Sequence, residues 1–359
     1  MAITRELLHR LPKTDLHVHL DGSLRPATML ELADEAGVSL PAADAAALGT
    51  YMHVQDGRDL VDYLARFEVT LALMQTERAI ERIAYELAVD AAAENVRYME
   101  VRFCPALSTR GGARPEAVVE AALGGLRRAE ADHDIATALI ICGLRNLPVR
   151  TSIEMAELAV SFRDRGVVAF DLAGAERGHP PIDHQPAFHI AADANLAITI
   201  HAGEAFGPAS IHQAIHGCSA RRIGHGTRLY EDPGLMRYVN DFRIPLEICL
   251  SSNVQTRAAP SLEQHPLRLY YDHGLVVTLN TDNRLMSATT VTDEFLRAHR
   301  SLGFGWDELC DLAVLGFESA FLPWQEKRAL TAAVRAEIEA LRPRRTDESP
   351  GARTTTRTP

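Results

Sequence analysis

The chain has 359 residues, 47% of them hydrophobic, and a formal net charge of -11 at pH 7, enough apolar content for a large core. The acidic balance, with no basic run or Lys/Arg face, excludes a nucleic-acid polyanion as partner. The five cysteines, Cys104, Cys142, Cys218, Cys249 and Cys310, form no C-x-x-C pair, which fits free thiols in a reducing cytosol rather than disulfides or a thiolate metal site.

Residues 1–12 read as a short entry helix. They lack the apolar core of a signal peptide, and no apolar run in the chain reaches membrane-spanning length. A soluble cytoplasmic protein without a membrane partner is therefore expected. Asp15-Leu16-His17-Val18-His19-Leu20 alternates polar and apolar residues, which predicts a strand, and Asp21-Gly22-Ser23 ends it. A helix is expected over 26–37, with Gly37 as its stop. Residues 38–58 are mixed. Leu60, Tyr63, Leu64 and Phe67 recur at helical spacing, and a long helix follows over 79–94. From there short β-rich runs alternate with helices. The runs cover 97–103, 136–142, 167–172, 196–200, 222–224, 245–250 and 275–280. With the first strand they number eight, and alternating βα units of this count predict a closed (β/α)₈ TIM barrel. An open doubly wound sheet is disfavoured because no glycine-rich dinucleotide turn is present. Additional helices flank the barrel at the N-terminus and, over 291–341, at the C-terminus. A single domain is expected over 1–342, and the polar tail 343–359 is expected to be disordered.

Active residues of such barrels lie just after the C-terminal ends of strands. Those positions hold His17 and His19, Asp171 with Gly174, His201 with Glu204, His225, and Asp282 with Asn283. Residues two apart on a strand point the same way, so His17 and His19 could reach one metal ion. Taken singly, each has a bland reading: H-x-H as two surface histidines, His201 as a core residue, Asp282 as a loop acid, Gly224-His225-Gly226 as a turn. What strengthens them is a shared rim. Three imidazoles and a carboxylate suit Zn²⁺, and an open position for water would make the site catalytic. Glu204, three residues beyond His201, is placed to move a proton beside the metal. The chain has only two lysines, Lys13 and Lys327, neither after a later strand, which disfavours Schiff-base chemistry and lysine-bridged metal pairs.

Taken together, five segments resemble the adenosine deaminases of the amidohydrolase superfamily, of the bacterial type. They are Thr14-Asp15-Leu16-His17-Val18-His19-Leu20-Asp21-Gly22, Asp171-Leu172-Ala173-Gly174, His201-Ala202-Gly203-Glu204, Gly224-His225-Gly226 and Asn280-Thr281-Asp282. The resemblance spans about residues 12 to 325 and implies zinc-dependent deamination of adenosine and 2′-deoxyadenosine, with one Zn²⁺ per chain. It implies that His17, His19, His201 and Asp282 are the metal ligands and that Glu204 protonates purine N1. His225 and Asp282 would orient the attacking water and help remove its proton. Gly174 would offer its backbone to N3, Asp21 would face the ribose 5′-hydroxyl, and Asp171 would support His225 or the pocket floor. His19 would also border the substrate, and Leu60, Tyr63, Leu64 and Phe67 would form a lid over the base.

One departure concerns Asn283, where the family commonly has a second aspartate facing N7. An asparagine amide donates to N7 without needing a proton. Arg284 stands where a proline often follows. These changes bear on substrate range, and 6-aminodeoxyfutalosine or an N6-substituted adenosine is the alternative substrate. Two rival readings are a two-metal hydrolase on the same barrel, disfavoured by the lysines, and a non-catalytic binding protein, disfavoured by the intact histidine–acid set. The expected partner is a small-molecule purine nucleoside; oligomeric state is not legible.

Overall fold

The computed structural model describes residues 2–55 and 59–342. The expected tail over 343–359 lies outside the described residues. Eight strands follow one another around a parallel sheet in strict sequence order. They are β1 (Lys13–His19), β2 (Val96–Phe103), β3 (Ala136–Leu144), β4 (Val167–Ala173), β5 (Ala197–Ala202), β6 (Arg222–His225), β7 (Leu246–Ile248) and β8 (Val277–Leu279). A parallel bridge between Val18 and Asp282 joins the last strand's continuation to the first, which closes the barrel as expected.

Most elements fall where the residue pattern puts them. Helices Pro115–Asp132 and Pro233–Asp241 begin at a proline, which is tolerated in a first turn because its missing N–H would be unbonded there. Gly37 ends helix Pro26–Ala36 with a left-handed φ of 65°. Three expectations need correction. Residues 38–58 hide a helix, Ala45–Met52, capped by the Asp44 side chain; Ala45-Ala46-Ala47 carries too little amphipathic contrast to announce it. The apolar run 245–250 splits, because β7 ends at Ile248 and Leu250 starts a helix to Gln255. The segment expected to form a lid is two short helices, Leu60–Leu64 and Phe67–Leu73, rather than one. Among the described residues no helix is long and apolar enough to cross a membrane, and all five cysteines are free and buried.

An apolar shell surrounds the barrel, formed where the strands' outward residues meet the helices. The barrel interior is different. Alternation on β2 sends Glu100 and Arg102 inward, where both are fully buried. Arg102 donates to Asp171 (3.0 Å), to Glu247 (2.9 Å) and to the Leu16 carbonyl. Arg222 donates to Glu247 (2.6 Å) and Glu100 (2.5 Å). Glu247 also accepts from Thr199 and from Nδ1 of His17. Burial alone would raise the pKa of Glu247, but the two arginines hold it well below the usual carboxylate range. Lys13, also buried, donates Nζ to the carbonyls of Leu8, His9 and Leu11 at the barrel's N-terminal end, away from the strand C-termini.

Replacing Glu247 by leucine strands two guanidiniums and an imidazole N–H in a dry core. Glu247→Leu should lose about 3–5 kcal/mol of stability or fail to fold, and Glu247→Gln should lose less. Equilibrium unfolding in urea measures this, and a leucine variant as stable as the parent would contradict the role given to the network.

Candidate active site

The barrel seam builds one half of the site. The Asp282 N–H donates to the His17 carbonyl (2.8 Å), and the His19 N–H donates to the Asp282 carbonyl (2.7 Å). Asp282 is thereby clamped between the two histidines of β1, in a left-handed backbone conformation with φ of 60°. Its Oδ1 lies 3.4 Å from His17 Nε2 and 3.5 Å from His19 Nε2. His201, near the end of β5, brings its Nε2 to 3.1 Å from that of His19. Gly224 on β6 keeps the centre open, since a Cβ there would stand 3.0 Å from the His17 ring.

Hydrogen bonds behind these rings decide which nitrogen faces the centre. His17 donates from Nδ1 to Glu247 Oε2 at 2.7 Å, and His201 donates from Nδ1 to Asp171 Oδ2 at 3.0 Å. In its neutral form each ring then turns an unprotonated Nε2 inward. The buried Nε2 of His17 has no hydrogen-bond partner. Burial pushes the pKa of His17 down to about 4 and that of His19 well below the normal value. Burial also acts against the charged form of His201, but Asp171 outweighs it and raises that pKa. Asp282 is held below the carboxylate range because contacts with His17 and the neighbouring imidazoles overcome the cost of burial. Lone pairs converging on a carboxylate, one of them orphaned, are what a divalent metal needs. His17, His201, His225 and Asp282 all offer atoms within 4.8 Å of one another. His19 reaches the same point through its contacts with His201 and Asp282.

The other half is acidic. Glu204 is buried; its Oε1 accepts from Thr256 (2.8 Å) and its Oε2 lies 3.6 Å from His225 Nε2. Burial raises its pKa more than His225 lowers it, a shift toward the protonated form. The turn carrying Glu204 is held by Glu176, whose carboxylate accepts the backbone N–H groups of Gly203, Glu204, Ala205 and Phe206 at 2.6–3.0 Å. His225 takes a left-handed φ of 63°, and its Nδ1 lies 3.0 Å from Nδ2 of Asn253.

A cavity of about 300 Å³ connects the two halves, within the range of small-molecule sites. Its walls include Leu60, Tyr63, Leu64 and Phe67 on one side and His19, Asp21, Gly174 and Asn283 on another. Burial pushes Asp21 up to about 7. Gly174 has φ of 91°, a conformation that favours glycine. Asn283 packs onto Gly22, where an added Cβ would fall 1.8 Å from its Oδ1. Arg284 turns away from the cavity and pairs with Glu94 at 2.5 Å.

The structure thus gathers every residue expected at the site, with one change of role. Asp171 supports His201 and Arg102, and the partner of His225 is Asn253. Sequence reasoning missed Glu247, Glu176, Asn253 and Thr256. A lone acid inside the apolar run 245–250 was the one available signal for Glu247. Nothing local marked the other three.

A family model described as adenosine deaminase matches residues 12–337. An adenosine deaminase of Mycobacterium sp. (strain JLS) is 44% identical over 346 residues, covering 91% of this chain and 95% of that protein. Among solved structures, an adenine deaminase from Arthrobacter aurescens matches with a TM-score of 0.86 at 28% identity, covering 92% of this chain and 99% of that one. An amidohydrolase from Burkhoderia ambifaria, solved with bound Zn, gives 0.87 at 26% identity and covers 95% of each chain.

Glu176→Gln swaps a four-amide acceptor for a group with an NH₂ that cannot accept. It should destabilise the protein by about 1–3 kcal/mol and lower turnover by loosening Glu204. Thermal unfolding and steady-state kinetics on one preparation test this; no change in either would refute it.

Proposed function

The chain belongs to the adenosine deaminase family, and from that premise we propose that it hydrolyses adenosine and 2′-deoxyadenosine at C6. The products are inosine or 2′-deoxyinosine and ammonia. His17, His19, His201 and Asp282 would hold one Zn²⁺, a set supported by the orphaned Nε2 of His17 and the carboxylates behind two of the rings. When bound, zinc lowers the pKa of water so that hydroxide is available near neutral pH.

The protein's own groups do the rest. The aromatic C6 is a poor electrophile until N1 is protonated. Glu204, whose pKa burial raises, would give that proton. His225 orients the attacking water, and Asp282, an ionised carboxylate, takes its first proton and passes it to the departing amino group. The proton from Glu204 stays on N1 of the product, and the second proton of the water restores the acid. Asp21 would meet the 5′-hydroxyl, where a carboxylate repels a 5′-phosphate and so favours nucleoside over nucleotide. The Gly174 backbone would meet N3, the Asn283 amide N7, and Leu60, Tyr63 and Phe67 the face of the base. The observation that carries this reading is the opposition, across one cavity, of inward-facing imidazole nitrogens around Asp282 and the buried acid Glu204.

The decisive assay compares ammonia release from adenosine, 2′-deoxyadenosine, 6-aminodeoxyfutalosine, N6-methyladenosine, AMP and adenine. Adenosine and 2′-deoxyadenosine should give the highest kcat/KM, and silence on all six would end the proposal. Glu204→Gln should keep the metal yet lose activity by at least about 1,000-fold. Chelation should abolish turnover and zinc should restore it. Because Glu204 works protonated with a raised pKa, kcat/KM should fall as pH rises through that pKa.

A further inference from the structure

We infer that Asn253 and His265 fix the ring proton of His225 on Nε2, so that His225 meets the reacting groups as a hydrogen-bond donor. This rests on the deaminase reading for its catalytic meaning and on hydrogen bonding alone for its geometry.

The chain of bonds starts at a group whose direction is beyond choice. The backbone N–H of Leu267 donates to Nδ1 of His265 at 3.1 Å. A main-chain amide cannot accept, so this nitrogen is bare and the ring proton of His265 lies on Nε2. Burial, which pushes His265 down to about 3, agrees with a single ring proton. That Nε2 lies 3.1 Å from Oδ1 of Asn253, which must be the amide oxygen because it receives a proton. The Asn253 NH₂ therefore points the other way, to Nδ1 of His225 at 3.0 Å. His225 accepts there, and its own proton sits on Nε2, beside Glu204. All three side chains are buried. Reversing any link sets donor against donor or acceptor against acceptor, at about 1–3 kcal/mol for each buried group left unsatisfied.

The contrast with His17 and His201 is chemical. Both of those donate from Nδ1 to a carboxylate and turn a lone pair inward. His225 has an amide NH₂ at the same place and turns an N–H inward. One pocket therefore holds two tautomers, sorted by the partner behind each ring. His225 lies close enough to be counted with the ligands, but its tautomer excludes it from them and leaves His19 in the set. It also leaves proton removal from the attacking water to Asp282. Asn253 and His265 are positioning residues, acting on the reaction through His225.

Neutron diffraction on the deuterium-exchanged, zinc-loaded enzyme tests this without any substitution. Deuterium should appear on Nε2 of His225 and of His265, with both Nδ1 atoms bare; deuterium on Nδ1 of His225 would overturn the inference. Asn253→Asp provides the functional test, since a carboxylate accepts from both rings and draws the His225 proton to Nδ1. A wrong histidine tautomer costs a serine protease about 10⁴ in kcat. Here kcat should fall at least about 100-fold, with KM changed less than about 3-fold and metal content unchanged. Undiminished kcat in the folded, metal-loaded variant would also overturn it. Absence of ammonia release by the parent enzyme would instead fail the deaminase reading, and the neutron result would still decide the tautomer.

Discussion

Two backbone hydrogen bonds at the barrel seam govern this molecule. By exchanging N–H and C=O with His17 and His19, Asp282 closes an eight-strand cylinder and enters the space between two imidazoles in the same act. The closure is not relaxed. Asp282 sits at positive φ, as does His225 on β6, and such conformations cost non-glycine residues about 1–3 kcal/mol each. They persist because the surrounding strands over-determine them. Function and folding are joined here: a barrel that failed to close would have no Asp282 at the site.

Beneath that seam lies a polar interior that a purely apolar barrel would not need. Glu100, Arg222, Glu247, Arg102 and Asp171 form one contiguous network, linked through His17 to Asp282 and carrying His201 on Asp171. Buried ion pairs of this kind seldom repay their own desolvation. Their value lies in direction. Glu247 and Asp171 select the Nδ1–H tautomers of His17 and His201, and Arg102 holds both acids in place.

The opposite wall solves a different problem. In the proposed reaction Glu204 must keep a proton while sitting near groups that would favour its ionisation. Burial supplies the energetic bias, and the Glu176 carboxylate, bonded to four successive amides, supplies the geometry. The two glutamates thus divide the work. One accepts four backbone N–H groups; the other accepts from the Thr256 hydroxyl, lies beside His225 and has its pKa raised by burial.

The sequence by itself determined the architecture and the side chains gathered at the barrel's rim. Alternation on β1 put His17 and His19 on one face, and eight β-rich runs implied the barrel whose C-terminal rim collects His201, Glu204, His225 and Asp282. These features are local or periodic, so they survive in one dimension. It could not show that residues 38–58 contain a helix, that the segment 60–73 is two helices, or that Arg284 leaves the cavity to Asn283. Above all it could not give the hydrogen-bond partner behind each imidazole. Those partners lie 230, 30 and 28 residues from His17, His201 and His225, on strands and a helix brought near only by closure of the barrel. A histidine's identity is written in the chain, but the nitrogen that carries its proton is decided by what packs against it.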